Sequence, residues 1–233
     1  MTEESPTDMS PPPEPAASSH PALADISEPL DGVFRVETHP RAANTALVVD
    51  KIRSVYPHQQ IYGKFCPVQG YVDAPPRELY EWLSDTRSLE EWTYSTRGFT
   101  RTERPDVWAG YDMLNADTKI YVRTEANPEA MTVDYHCAWD QGEHLWMIYL
   151  MRVVDARTVL NKPGSVVLWN NCRHPFYDDN PFPETAPAGR EEWVGDLWDM
   201  FWAGHQIELD NLTAIAEYRH RNGLPLTPDW MRS

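Results

Sequence analysis

Residues 190–221 read REEWVGDLWDMFWAGHQIELDNLTAIAEYRHR, and this stretch decides the fold. Val194, Leu197, Trp198, Phe201, Leu209, Leu212, Ile215 and Ala216 recur at helical spacing and keep to one face. Gly223 and Pro225 follow closely, and both terminate helices. One long helix is therefore expected from Arg190 to about Arg221. Its aromatic face contains Phe201-Trp202-Ala203-Gly204-His205-Gln206-Ile207-Glu208. Residues 201, 205, 208 and 212 fall on one side of such a helix, so a histidine and a carboxylate join the apolar surface.

A helix with one broad apolar face needs a second layer to cover it. Upstream, past a loop rich in Pro and Asp at 175–189, the pattern is that of strands. They are expected near Tyr94–Thr102, Val107–Leu114, Lys119–Thr124, Ala130–Trp139, His144–Val154 and Ser165–His174. The breaks are Arg104-Pro105-Asp106, Asn115-Ala116-Asp117, Asn127-Pro128, Asp140-Gln141-Gly142 and Asn161-Lys162-Pro163-Gly164. Short turns between closely spaced strands make an antiparallel meander. Before it, Gln60 to Val72 alternates as a further strand, and Ala74-Pro75-Pro76 ends it. Two short helices follow, Arg77 to about Ser84 and Ser88 to Trp92, with Asp85 as the cap between them. The fold class is thus α+β. A curved antiparallel sheet of about six or seven strands carries two short helices after its first strand, and the long C-terminal helix closes a cavity. A twisted sheet cannot lie flush against one straight helix, so the gap is filled by side chains or left as a pocket.

The ends of the chain differ from this domain. Residues 1–30 hold seven of the 21 prolines, six acidic residues and no Lys or Arg. Such a segment buries too little apolar surface to offset its ordering entropy, so a disordered tail is expected. Residues 31–58 read as an arm. Ala42–Tyr56 could form a short amphipathic helix carrying Leu47, Val48, Ile52 and Val55, packed on the domain or on a second copy in a homodimer. The domain itself is expected over 59–222, with a tail at 223–233. The formal net charge of −16 argues against nucleic acid and against anionic membranes. No run approaches the roughly 20 apolar residues of a membrane span, and no secretory signal pattern opens the chain. Three widely spaced cysteines, Cys66, Cys137 and Cys172, fit reduced thiols in a cytoplasmic protein.

The order of strand, two short helices, six antiparallel strands and long helix resembles the SRPBCC superfamily, the START, Bet v 1 and polyketide cyclase/dehydratase proteins of helix-grip fold. Gly70-Tyr71-Val72-Asp73-Ala74-Pro75 and Glu78-Leu79-Tyr80-Glu81-Trp82-Leu83-Ser84-Asp85 look like that group's first strand and first helix. Leu89-Glu90-Glu91-Trp92 looks like its second helix, and Glu208-Leu209-Asp210-Asn211-Leu212 like the middle of its closing helix. Thr132–His136, Trp146–Val154 and Gly164–Val167 look like its later strands. The resemblance covers roughly 59–222. It implies a cavity between sheet and helix without naming a ligand, because the superfamily holds carriers, receptors and enzymes.

The candidate lining is aromatic: Trp82, Trp92, Tyr94, Trp146, Trp169, Trp198 and Phe201, with Met147 and Met151. Such side chains suit a flat apolar or aromatic, polyketide-like ligand, and each could equally fill a core. His205 is the first candidate for chemistry. It would act as general acid or base, with Glu208, His136 or Asn170 orienting it, in a cyclase, aromatase or dehydratase reaction that calls for no cofactor. A hairpin at Asp140-Gln141-Gly142 would set His136 opposite about Trp146, and Trp146 near Asn170 or Asn171. A one-residue slip would send His136 or Asn170 outside. Arg152 would clamp a ligand carboxylate if it pointed inward, and make a surface ion pair if outward. His144, His174, Asp178 and Asp179 lack ligand spacing, so no metal site is expected.

Overall fold

The computed structural model describes residues 63–112, 118–140, 144–186, 188 and 193–232. The expected tail at 1–30, the arm at 31–58, the strand start at Gln60, most of the turns at 115–117 and 140–142, and the helix start at Arg190 lie outside the described residues. All of the described residues belong to the compact unit His58–Ser233.

Strand β1 spans Phe65–Val72 and stops before Pro75 and Pro76. Pro76 is the first residue of helix α1 (Pro76–Leu83), where a missing N–H costs nothing. The Asp85 side chain then accepts the Arg87 N–H at 2.9 Å and starts a short turn leading into α2 (Leu89–Trp92). Strands β2 (Thr96–Arg101), β3 (Trp108–Asp112), β4 (Thr118–Asn127), β5 (Thr132–Trp139) and β6 (Met147–Asp155) follow. Helix α3 (Ala156–Leu160) interrupts the last hairpin before β7 (Ser165–Cys172). The sequence pattern does not show α3, because five residues are too few for a helical period. Asp155 starts it by accepting the Arg157 N–H at 2.8 Å, and Asn161 ends it at φ 53°.

All seven strands form one antiparallel sheet in the order β1-β7-β6-β5-β4-β3-β2. The last strand thus pairs with the first. β1 and β2 remain as edges, so the sheet is open rather than closed. The long helix α4 (Trp198–Arg221) lies against β1 on the inner face, and α1 and α2 share that face. Gly70 permits the close approach: a Cβ there would meet Leu209 Cδ2 at 3.2 Å. α4 begins later than expected. Val194–Leu197 form a tighter turn, with the Trp193 N–H bonded to the Asp196 carboxylate at 2.8 Å. Gly195 sits where a Cβ would fall 1.5 Å from the Tyr177 carbonyl oxygen, so no other residue fits. The residues of α4 that are buried are Trp198, His205, Leu209, Leu212 and Ala216, spaced seven, four, three and four apart.

The segment after α4 folds back on the domain. Leu226 and Met231 are buried, and the Leu226 and Met231 carbonyls accept from the Arg219 and Arg87 side chains.

Candidate functional site

Strand parity decides which polar side chains meet α4. In β6, Met147, Tyr149, Met151 and Val153 point inward, and in β7 so do Ser165, Val167, Trp169 and Asn171. The register pairs Tyr149 with Asn171 and Met151 with Trp169. α4 crosses above them and places His205 on the Trp169 ring, with centroids 4.5 Å apart and planes inclined by 28°. Tyr149 meets His205 edge-on at 5.4 Å, and Phe201 lies at the same distance on another side.

His205 is 7% exposed. Its Nδ1 lies 3.2 Å from Glu208 Oε2, one helical turn on. The other Glu208 oxygen accepts the Tyr94 backbone N–H at 3.1 Å. The carboxylate can only accept, so Nδ1 carries a hydrogen and donates to it, and Nε2 points away from Glu208. That Nε2 is buried and has no hydrogen-bond partner among the described residues. The same holds for Trp169 Nε1 and Asn171 Oδ1. The Asn171 amide N–H₂ is used: it donates to the Tyr177 hydroxyl at 3.3 Å, which is also bonded to the Tyr149 hydroxyl.

The charge of Glu208 is felt inside. Burial, and secondarily Glu208, pushes the Cys66 thiol up to about 12 and raises Cys137 further. Burial is also the main cause of the raised Tyr149 and Tyr177 hydroxyls, with the Asn171 bond acting against it at Tyr177. Both phenols stay neutral at ordinary pH, and the Tyr177 oxygen accepts from Asn171.

An aromatic wall extends from this point. Trp146 is surrounded by Tyr177 at 4.7 Å, His174 at 5.5 Å, Phe176 at 5.7 Å and Trp193 at 6.0 Å. Tyr177 also contacts Trp198 and Phe201. The Pro- and Asp-rich segment after β7 is thus an aromatic cover over the N-terminal end of α4.

The predicted site residues divide into three groups. His205, Glu208, Trp169, Trp198 and Phe201 come together with Trp146 beside them. Trp82 is fully buried in the core at the other end of α4, Trp92 is fully buried with its ring edge-on to Trp169 at 5.7 Å, and Tyr94 is 53% exposed at the edge. His136, Asn170 and Arg152 are on the outer face, away from His205. His136 pairs with Ile148, Asn170 with Leu150, and Arg152 with Leu168 and Thr132. His136 Nε2 lies 3.6 Å from Glu125 there, and Asn170 donates to the Cys172 sulfur. The misplacement has one cause. Trp146 does point inward, but β6 starts only at Met147. The pleat cannot be counted through Trp146, so its orientation says nothing about His136. The pair Asn170/Asn171 resolves in favour of Asn171, which is completely buried. Tyr149, Asn171 and Tyr177 were missed as site residues. Alternation with Trp169 could have found Asn171, whereas Tyr177 comes from an irregular segment that carries no periodic signal.

His174 Nδ1 accepts the Phe176 N–H, and Asp178 is paired with Arg173 at 2.6 Å. Among the described residues, no three His, Cys, Asp or Glu side chains are grouped to hold a metal ion, and no helix is long and apolar enough to cross a membrane.

The fold is an α+β helix-grip, as strand order and helix placement show. No family model matches the chain, and no curated protein matches it. Among solved structures, it is similar to the ZhuI aromatase/cyclase from Streptomyces sp. R1128, at 17% identity and a TM-score of 0.46, over 66% of this chain and 94% of that one. It is similar to a START superfamily protein from Mycobacterium smegmatis, at 12% identity and a TM-score of 0.42, over 68% and 98%. A Chromobacterium violaceum protein is comparable, at 14% identity and a TM-score of 0.44, over 66% and 98%. Likeness at this level carries no activity from those proteins to this chain.

Proposed function

We propose that the chain binds a small apolar or aromatic molecule against Trp169, Phe201 and the Trp146–Tyr177 wall, and that His205 exchanges a proton with it. The observation that carries this reading is the His205–Glu208 pair. A carboxylate fixes Nδ1 while the opposite ring nitrogen is buried and has no partner among the described residues, which is how a general base is presented. In a domain free to satisfy its polar groups, an idle buried imidazole nitrogen would be a net cost. Here it lies among aromatic faces suited to a flat guest.

The roles follow from placement. His205 is the acid/base, and Glu208 and the Tyr94 N–H hold its tautomer and orientation. Trp169, Phe201 and Tyr149 supply the faces on which a ring stacks. In a cyclase, aromatase or dehydratase reaction, His205 Nε2 would take a proton from the bound molecule and return it at a second position. Binding without chemistry uses the same contacts.

Native mass spectrometry of the purified full chain tests the reading. A small-molecule adduct is expected on the wild type, and it should be lost or greatly reduced in Trp169→Leu and in His205→Leu. An adduct unaffected by both substitutions would sink the assignment of the site.

A further inference from the structure

Resting on that reading of the site, we infer that its ligand is a neutral planar molecule that presents hydrogen-bond donors, and that carboxylates are refused. The inference follows from the sign of each unpartnered group. Trp169 Nε1–H can only donate. Asn171 Oδ1 can only accept, because its amide nitrogen is already committed to Tyr177. In the neutral imidazole, whose hydrogen Glu208 holds on Nδ1, His205 Nε2 accepts. The three side chains share one neighbourhood. His205 stacks on Trp169, Tyr149 touches both rings, and Tyr149 is the register partner of Asn171. The site therefore presents one donor and two acceptors, and the matching polar edge carries two donors and one acceptor. A primary carboxamide has that set in full. A hydroxyl next to a carbonyl has it in part.

An anion fits badly for two independent reasons. It brings acceptors to acceptors, and it approaches the Glu208 carboxylate, whose charge adds to the rise that burial gives the Cys66, Cys137 and Tyr149 acids. Among the described residues, the arginines of β6 and of the segment just after β7 do not compensate. Arg152 is exposed on the outer face. Arg173 covers the Trp198 ring but is held by Asp178 at 2.6 Å. Leaving buried acceptors unpaired, or facing them with an anion, costs about tenfold in affinity or more for each group.

Isothermal titration of the full chain with four probes of one shape tests this: 2-naphthamide, 2-naphthol, 2-methoxynaphthalene and 2-naphthoate. 2-Naphthamide should bind about tenfold or more tightly than 2-methoxynaphthalene, which keeps an acceptor and lacks donors. 2-Naphthol should fall between them, and 2-naphthoate should be weakest. The wild-type ranking is itself the readout, so no variant has to fold. Naphthoate or methoxynaphthalene binding as tightly as naphthamide overturns the inference and leaves the site standing. Failure of all four to bind overturns both the inference and the binding function beneath it.

Discussion

The two ends of α4 use similar parts and finish them differently. Towards the C-terminus, Arg219 grips Glu91 with two bonds of 2.7 and 2.8 Å. Glu91 also accepts the Trp82 indole N–H at 2.8 Å, and Arg219 lies over the Trp82 ring and bonds the Leu226 carbonyl. Tryptophan, glutamate and cation there satisfy one another. Towards the N-terminus stand another tryptophan, another glutamate and a histidine, and three polar atoms have no partner among the described residues: Trp169 Nε1, Asn171 Oδ1 and His205 Nε2. A structure that completes one network and leaves its counterpart open on the same helix separates scaffold from site.

The largest effect tests the closed end. Arg219→Leu removes one partner of a network whose side chains are only 16–17% exposed, and strands Glu91. Denaturant unfolding should show a loss of about 3 kcal/mol or more, while probe binding stays intact. A loss no greater than that of His205→Leu would erase the contrast. A second experiment compares like with like. Trp82→Phe and Trp169→Phe each delete one indole N–H from a buried ring. The Trp82 donor serves a carboxylate and the Trp169 donor serves nothing among the described residues. Trp82→Phe should therefore cost about 1.5–3 kcal/mol more in stability, and Trp169→Phe should be the one that weakens naphthamide binding. Equal stability losses would show that the Trp169 N–H has a partner after all.

The closed end was more legible in the sequence than the open one. Leu89-Glu90-Glu91, Trp82 and the stop at Gly223 lie in or directly after regular elements, where spacing reports position. The strand run and the closing helix were readable for the same reason. At the open end, His205 and Glu208 share a helix face and could be paired from sequence alone. Asn171 was one residue from the choice made, and His136 was carried inward by counting through Trp146, which precedes β6. Tyr177 and the aromatic cover come from a segment stabilised by ring contacts and by Gly195 against a backbone carbonyl. Nothing periodic encodes such contacts.

Alkaline pH sharpens the comparison further. Burial lifts Cys66 from its ordinary 9.0 to about 12, and Cys137, Tyr149 and Tyr177 also move up, all on the open end. The folded chain keeps protons that the unfolded chain releases above pH 9. Stability is thus at its full value below pH 9 and falls as pH rises towards 12, by up to about 1.4 kcal/mol per pH unit for each such group. Denaturation midpoints measured across this window should show the fall, and Cys66→Ala should make it shallower. A flat profile would mean that these groups meet water in the folded chain.

The smallest effect belongs to the outer face, and it guards the comparison against a trivial explanation. If any polar residue near α4 mattered for binding, the open network would not be special. His136 is a fair control, because it too is a histidine beside a glutamate, though less deeply buried than His205. Its Glu125 partner is 55% exposed at 3.6 Å, so the pair is screened by water and contributes little. His136→Ala should change stability by no more than about 0.5 kcal/mol and leave the affinity for 2-naphthamide unaltered, while His205→Leu abolishes the preference for the amide. Weaker naphthamide binding in His136→Ala would mean that the sheet transmits between its faces, and that the unpaired atoms on the inner side do not by themselves define the site.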